Sequence, residues 1–143
     1  MYPRVPANGT VAPTIGSSGR RVLVADDNKD AADSLAMVLE LSGHDVRVAH
    51  GGRAALTLAQ TFRPDVALLD IGMPELNGYD VAKELRREPW GTGILLIALT
   101  GWGQDDDRQR AKDAGFDHHL TKPLDLDTLE TLLANSKAIS ANI

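Results

Sequence analysis

The chain has 143 residues, 43% hydrophobic and 24% charged, which fits one globular domain able to bury an ordinary core. A formal net charge of -5 argues against nucleic-acid binding by this chain alone, and the absence of cysteine excludes disulfides, thiolate chemistry and Cys-ligated metals. No apolar stretch approaches the roughly 20 residues of a membrane helix, and Met1-Tyr-Pro-Arg-Val-Pro lacks a signal-peptide apolar region, so a cytoplasmic protein with no membrane partner is expected.

Residues 1–19 hold three of the seven prolines and three of the thirteen glycines and show no hydrophobic period, so they read as a flexible tail or linker. Beyond them, apolar runs alternate with helix-period segments. The first run, Arg21–Ala25, precedes a helix over Lys29–Ser42, with Leu35, Val38 and Leu39 as its buried stripe and Gly43 at its C-terminal cap. Asp45–Ala49 alternates polar and apolar residues. The helix over Gly52–Phe62 that follows places Ala55, Leu58, Ala59 and Phe62 on one face, and Pro64 closes it. The third run, Asp65–Leu69, leads to a helix that starts at Asn77-Gly78, turns Val81 and Leu85 inward and ends before Pro89; Trp90 reads as a loop residue covering core. The fourth run is Ile94–Leu99. The polar, Arg-rich helix after it, over Gln104–Ala114, should pack loosely. A short polar strand over Asp117–Thr121 precedes a last helix beyond Pro123, with Leu126, Leu129 and Leu133 on one face. Residues 20–137 form the domain, and residues 138–143 are a short C-terminal tail.

The first, third and fourth strands are continuously apolar, as buried parallel strands are, whereas the second and fifth suit sheet edges. Five βα units with those edges give a doubly wound α/β sheet of flavodoxin-like order 2-1-3-4-5, whose switch point lies between strands 1 and 3. Ligands of such sheets bind at the carboxyl edge near the switch point. Asp26-Asp27, Asp70, Thr100 and Lys122 each follow a strand and converge there. Taken singly, each has an ordinary reading. Asp26-Asp27, with Asn28 and Asp30, can cap the next helix. Asp70 can be a loop aspartate, Thr100 a hydroxyl bonded to backbone, and Lys122 a solvated cation. Together they gain weight, because three adjacent carboxylates repel one another unless a cation or proton intervenes. Magnesium takes oxygen ligands in an octahedron at roughly 2.0–2.1 Å and keeps exchangeable waters. An ammonium and a hydroxyl beside it can bind phosphoryl oxygens, leaving Asp70 as a nucleophile that forms an acyl phosphate. Gly101, after Thr100, leaves room for a group to approach.

The stretches Val22-Leu-Val-Ala-Asp-Asp-Asn28, Asp65-Val-Ala-Leu-Leu-Asp-Ile-Gly-Met-Pro74, Asn77-Gly78, Ala98-Leu-Thr-Gly101, Ala114-Gly115 and Thr121-Lys-Pro123 resemble, in order and spacing, the receiver domain of two-component response regulators. The resemblance covers roughly residues 20 to 135. It implies that Asp70 accepts a phosphoryl group from a histidine kinase or histidine phosphotransfer protein, and that the surface around the fourth helix, fifth strand and fifth helix then changes. Asp27 matches a direct magnesium ligand, Asp26 one that acts through water, and Gly72 the residue whose backbone carbonyl completes the protein ligands. Thr100 matches the switch hydroxyl and Lys122 the lysine that binds phosphoryl oxygen; the Lys122–Pro123 bond is expected to be cis. Such a module is a phosphoryl acceptor with slow self-dephosphorylation rather than a turnover enzyme, and a monomer or weak dimer.

Three residues before the lysine, the family carries Tyr or Phe; this chain has His119. An imidazole can respond to new charge, and an exposed edge-strand histidine accounts for it as well. His44 and His118 read as surface residues. The resemblance implies that Gly72 and Trp102 occupy positions that often tune phosphoryl lifetime in this family, and Trp102 also fits a partner contact. Ala98-Leu-Thr-Gly-Trp-Gly-Gln104 and Gly115-Phe-Asp-His-His-Leu120 resemble receivers attached to hybrid sensor kinases. The alternative is a magnesium-dependent phosphatase of haloacid dehalogenase type, but that family places its nucleophile after the first strand in a D-x-D arrangement, whereas this chain has adjacent aspartates and no length for a cap insertion. A binding module that has lost phosphorylation fits less well with a full set of site residues. Dinucleotide binding lacks a Gly-rich loop after the first strand.

Overall fold

A computed structural model of the chain describes residues 19–101 and 108–141. The expectations for residues 1–18, for Trp102 and for the start of the fourth helix lie outside the described residues. Five parallel strands, β1 (Arg21–Ala25), β2 (Asp45–Ala49), β3 (Val66–Asp70), β4 (Leu95–Thr100) and β5 (His118–Thr121), form one sheet in the order β2-β1-β3-β4-β5. The helices are α1 (Lys29–Leu41), α2 (Gly52–Phe62), α3 (Gly78–Arg87), α4 (Arg108–Ala114) and α5 (Leu126–Ala141), with a 3-10 turn at Pro89–Gly91. The expected doubly wound α/β fold is therefore present, and no helix among the described residues is long and apolar enough to cross a membrane.

Strand alternation divides the core in two. Leu23, Ala25, Ala67, Leu69, Leu96 and Ala98 face α2, α3 and α4, while Val22, Val24, Val66, Leu68, Ile97 and Leu99 face α1 and α5. Every residue of β3 is buried, whereas β5 has no fully buried residue. That contrast follows from position, since β3 has a neighbour on both sides and β5 closes the sheet.

Two helix faces differ from expectation. In α1 the side chains buried against the sheet are Ala32, Ala36 and Leu39, while Leu35 and Val38 are only half-buried. The alanines let the helix approach the sheet closely, and the larger residues flank the contact. In α5, Leu129 and Leu133 are fully buried, each contributing roughly 1.5–3 kcal/mol, but Leu126 is exposed because it lies in the first turn. This helix runs to Ala141, past the expected boundary at 137.

The connections use local chemistry. Asn28 caps α1 by accepting from the Ala31 amide, Asn77 caps α3 by accepting from the Asp80 amide, and Gly43 (φ 99°) ends α1 as expected. Trp90 packs on the core beneath the Arg63 guanidinium, 4.5 Å from its ring centroid. The described part of α4 buries only Ala111 and Ala114, and Arg110 lies 4.2 Å from the Tyr79 ring centroid.

Arg86 and His44 are among the side chains that tie the amino edge of the sheet together. Arg86 donates to the carbonyls of Gly91, Thr92, Ile94 and Gly115 and to Asp117 Oδ2. His44 corrects the sequence reading. It is 8% exposed, its Nδ1 accepts from the Arg20 amide (3.0 Å) and its Nε2 lies 3.1 Å from Glu130 Oε1. A backbone amide and a carboxylate, from β1's approach and from α5, satisfy both ring nitrogens and let the imidazole be buried.

Candidate functional site

Strand register assembles the site. Ala25 pairs with Leu69, so the next residues, Asp26 and Asp70, lie side by side at the carboxyl edge. Asp70 pairs with Leu99 and Thr100 with Thr121. The ladder extends one step, with the Lys122 amide donating to the Thr100 carbonyl at 2.7 Å. Asp70 and Thr100 are the last residues of β3 and β4, one position further into the strands than their sequence runs suggest, whereas Asp26 and Lys122 follow theirs.

Asp26, Asp70 and Thr100 are buried, at 3%, 5% and 2% exposure, while Asp27 faces solvent. One carboxylate oxygen from each of Asp26, Asp27 and Asp70 lies within 4.8 Å of the others. The Lys122 ammonium is 2.6 Å from Asp26 Oδ2 and 3.7 Å from Asp70 Oδ2. Backbone amides orient the remaining oxygens: Asn28 donates to Asp26 Oδ1 (2.9 Å) and Gly72 to Asp70 Oδ1 (3.0 Å). Thr100 Oγ1 bonds to His119 Nε2 at 2.9 Å rather than to backbone. The Lys122–Pro123 bond is cis.

Burial pushes the Asp70 carboxyl up to about 6. The Gly72 amide opposes this, the adjoining Asp26 carboxylate adds to it, and Lys122 pulls it back down. Among the described residues, three carboxylates against one ammonium leave excess negative charge in a partly dry cleft. All the side-chain donors are carboxylate oxygens, and one flank is open at Asp27. That donor set fits a hard divalent cation such as magnesium.

The structure thus brings Asp26, Asp27, Asp70, Lys122 and Thr100 together and sets Gly72, Gly101, Pro123 and His119 around them; Trp102 lies outside the described residues. Sequence reasoning missed the direct Thr100–His119 bond. It also missed why position 78 is glycine: a Cβ there would stand 2.8 Å from the Asp70 carbonyl oxygen and from Ile71 Cα. The Asn77-Gly78 pair is visible in the sequence, but its closeness to Asp70 is a tertiary fact.

A doubly wound α/β protein with an acidic, lysine-bridged cleft at its switch point is the class that fold and site define. The family model for the response regulator receiver domain matches residues 22–134, and the chain belongs to that family. It is 35% identical over 119 residues to the DNA-binding dual master transcriptional regulator RpaA of Synechocystis, covering 83% of this chain and 48% of that protein. It is 38% identical over 104 residues to an uncharacterized 14.6 kDa protein of Leptolyngbya boryana, covering 73% and 79% of the two chains. The chain spans about half the length of RpaA and of the response regulator MprA relatives it matches. Among solved structures it is similar to the receiver domain of a sensor histidine kinase from Pseudomonas aeruginosa, with TM-score 0.76 and 28% identity over 84% of this chain and 98% of that one. A magnesium ion is coordinated in the active-site cleft of that neighbour. Family membership favours a receiver over the phosphatase of haloacid dehalogenase type.

Proposed function

We propose that residues 20–137 are a magnesium-dependent phosphoacceptor module of a two-component system or phosphorelay, and that Asp70 is the acceptor. The observation that carries this reading is the placement of the Asp70 carboxylate at the end of β3, 3.7 Å from the Lys122 ammonium and beside Asp26 and Asp27. An ionised Asp70 oxygen attacks the phosphorus of a phosphohistidine on a histidine kinase or phosphotransfer protein. An O–P bond forms, the N–P bond breaks, and the donor imidazole leaves with the electron pair.

Asp26, Asp27, Asp70 and the Gly72 carbonyl would hold magnesium, which supplies charge neutralisation for the transferring group. The Lys122 ammonium binds a phosphoryl oxygen, and the Thr100 hydroxyl donates to another. An apolar groove beside Lys122, lined by Ala31, Leu35, Pro123 and Leu124, gives the donor protein a surface to approach. Phosphorylation is then reported to the face formed by α4, β5 and α5, with Gly101, Trp102, His119 and Pro123 modulating the response. The module works in the cytoplasm as an acceptor with slow self-dephosphorylation, and any DNA-binding output belongs to a partner or an attached domain.

Incubation with acetyl phosphate and magnesium tests the reading by intact mass. The expected result is the gain of one acid-stable, hydroxylamine-labile phosphoryl group on the wild type and none on Asp70→Asn. No adduct, or one that survives D70N, overturns it.

A further inference from the structure

The Thr100 hydroxyl carries one proton and is almost entirely buried, at 2% exposure. It lies 2.9 Å from His119 Nε2 and 3.5 Å from Thr121 Oγ1. Strand register holds the imidazole there: Ala98 pairs with His119 and Thr100 with Thr121, so His119 and Thr100 turn to the same face of neighbouring strands. On its other side the ring lines a groove of about 350 Å³ between α4 and β5, together with Lys112, Phe116 and His118. His119 therefore reaches from the site to the groove surface.

A phosphoryl oxygen is an acceptor only. A threonine that binds it must donate its one proton to it and can then receive a hydrogen bond only on its own oxygen. Phenylalanine has no polar atom to offer there. An imidazole can present Nε2 either as acceptor or as N–H donor.

We propose that His119 is a positioning residue for phosphoryl binding: in the phosphorylated protein its Nε2 carries a proton and donates to Thr100 Oγ1, and Thr100 in turn donates to the phosphoryl oxygen. The proposal rests on the Asp70 phosphoacceptor reading and adds the polarity of the hydrogen-bonded chain. The chain His119 Nε2–H, Thr100 Oγ1–H, phosphoryl oxygen is directional, and each member polarises the next. Phosphorylation then selects the imidazole form with Nε2 protonated, and the histidine that lines the α4–β5 groove registers the event.

The test uses protein labelled with 15N-histidine, phosphorylated with acetyl phosphate and magnesium, and checked by intact mass in the same tube. Absence of the mass gain counts against the phosphoacceptor reading itself. With the mass gain present, the expected result is a His119 Nε2 resonance in the protonated range and a hydrogen-bonded Thr100 hydroxyl. An unprotonated Nε2 in the phosphorylated protein overturns the proposal. Two variants add an independent check. His119→Gln, whose amide can donate, should keep the phosphorylation-induced shift of the Thr100 amide resonance within twofold of wild type, whereas His119→Phe should reduce it by more than half. Equal shifts in all three proteins overturn the proposal.

Discussion

The Lys122 ammonium lies closer to Asp26, at 2.6 Å, than to Asp70, at 3.7 Å. Its nearest task is to compensate a carboxylate whose side chain is 4% exposed. Removing it leaves Asp26 buried beside Asp70 with no cation among the described residues. Lys122→Ala should therefore lose about 1–3 kcal/mol in urea unfolding with chelator present, less than a fully buried pair would because the lysine is 28% exposed. Magnesium should restore most of that loss. The variant should also bind magnesium several-fold more tightly, since one competing positive charge is gone. Calorimetric titration measures the second effect.

Burial raises the Asp70 carboxyl to about 6, above its ordinary 3.8, so the folded metal-free protein holds this proton more tightly than the unfolded chain does. Its contribution to stability is fully present below about pH 4 and is lost as pH rises through about 6. Asp70→Asn removes the titration. The difference in melting temperature between D70N and wild type in chelator should grow by a few degrees from pH 4 to pH 7, with the variant the more stable at pH 7. A difference that stays flat across that range would contradict the burial argument.

Gly78 opens α3 against the backbone that carries Asp70. A Cβ at this position meets the Asp70 carbonyl oxygen and Ile71 Cα at 2.8 Å, and backbone atoms have little room to yield. Gly78→Ala should cost about 1–3 kcal/mol, even though alanine favours a helix interior. It should also weaken magnesium binding, because the shift falls on the end of β3 that carries Asp70, next to Gly72. Unfolding and titration on the same preparation test both.

At the opposite edge of the sheet, His44→Leu preserves bulk but strands the Arg20 amide and the Glu130 carboxylate. The expected loss is about 1–3 kcal/mol, with magnesium affinity unchanged. A change in magnesium affinity would show coupling between the two edges.

His44 also shows where sequence reading stops. Its neighbours Gly43 and Asp45 look like a surface turn, and its partners lie 24 and 86 positions away, so nothing local signals burial. The same distance hides the Thr100–His119 bond, which arises from register between two strands that an entire helix separates. The fold, and the convergence of Asp26, Asp27, Asp70 and Thr100 at one edge, are legible for the opposite reason, whereas Lys122 ends a polar strand. Buried parallel strands write themselves as apolar runs, and a polar residue ending such a run is visible without knowing its neighbour. The helix faces were partly legible. Periodicity located α1 but could not tell that Ala32 and Ala36, rather than Leu35 and Val38, sit closest to the sheet.

Arg86 spreads its donors over four carbonyls and a carboxylate of the amino edge. Among the described residues, the carboxyl edge keeps more negative charge than Lys122 can offset. The amino rim is held by contacts within the chain, and the carboxyl rim stays unfinished until a cation or a proton arrives. Cargo that settles on the unfinished rim should therefore toughen the whole body. Heat resistance in unlabelled protein, followed by a simple melting curve, then becomes a gauge of how fully the cleft is loaded.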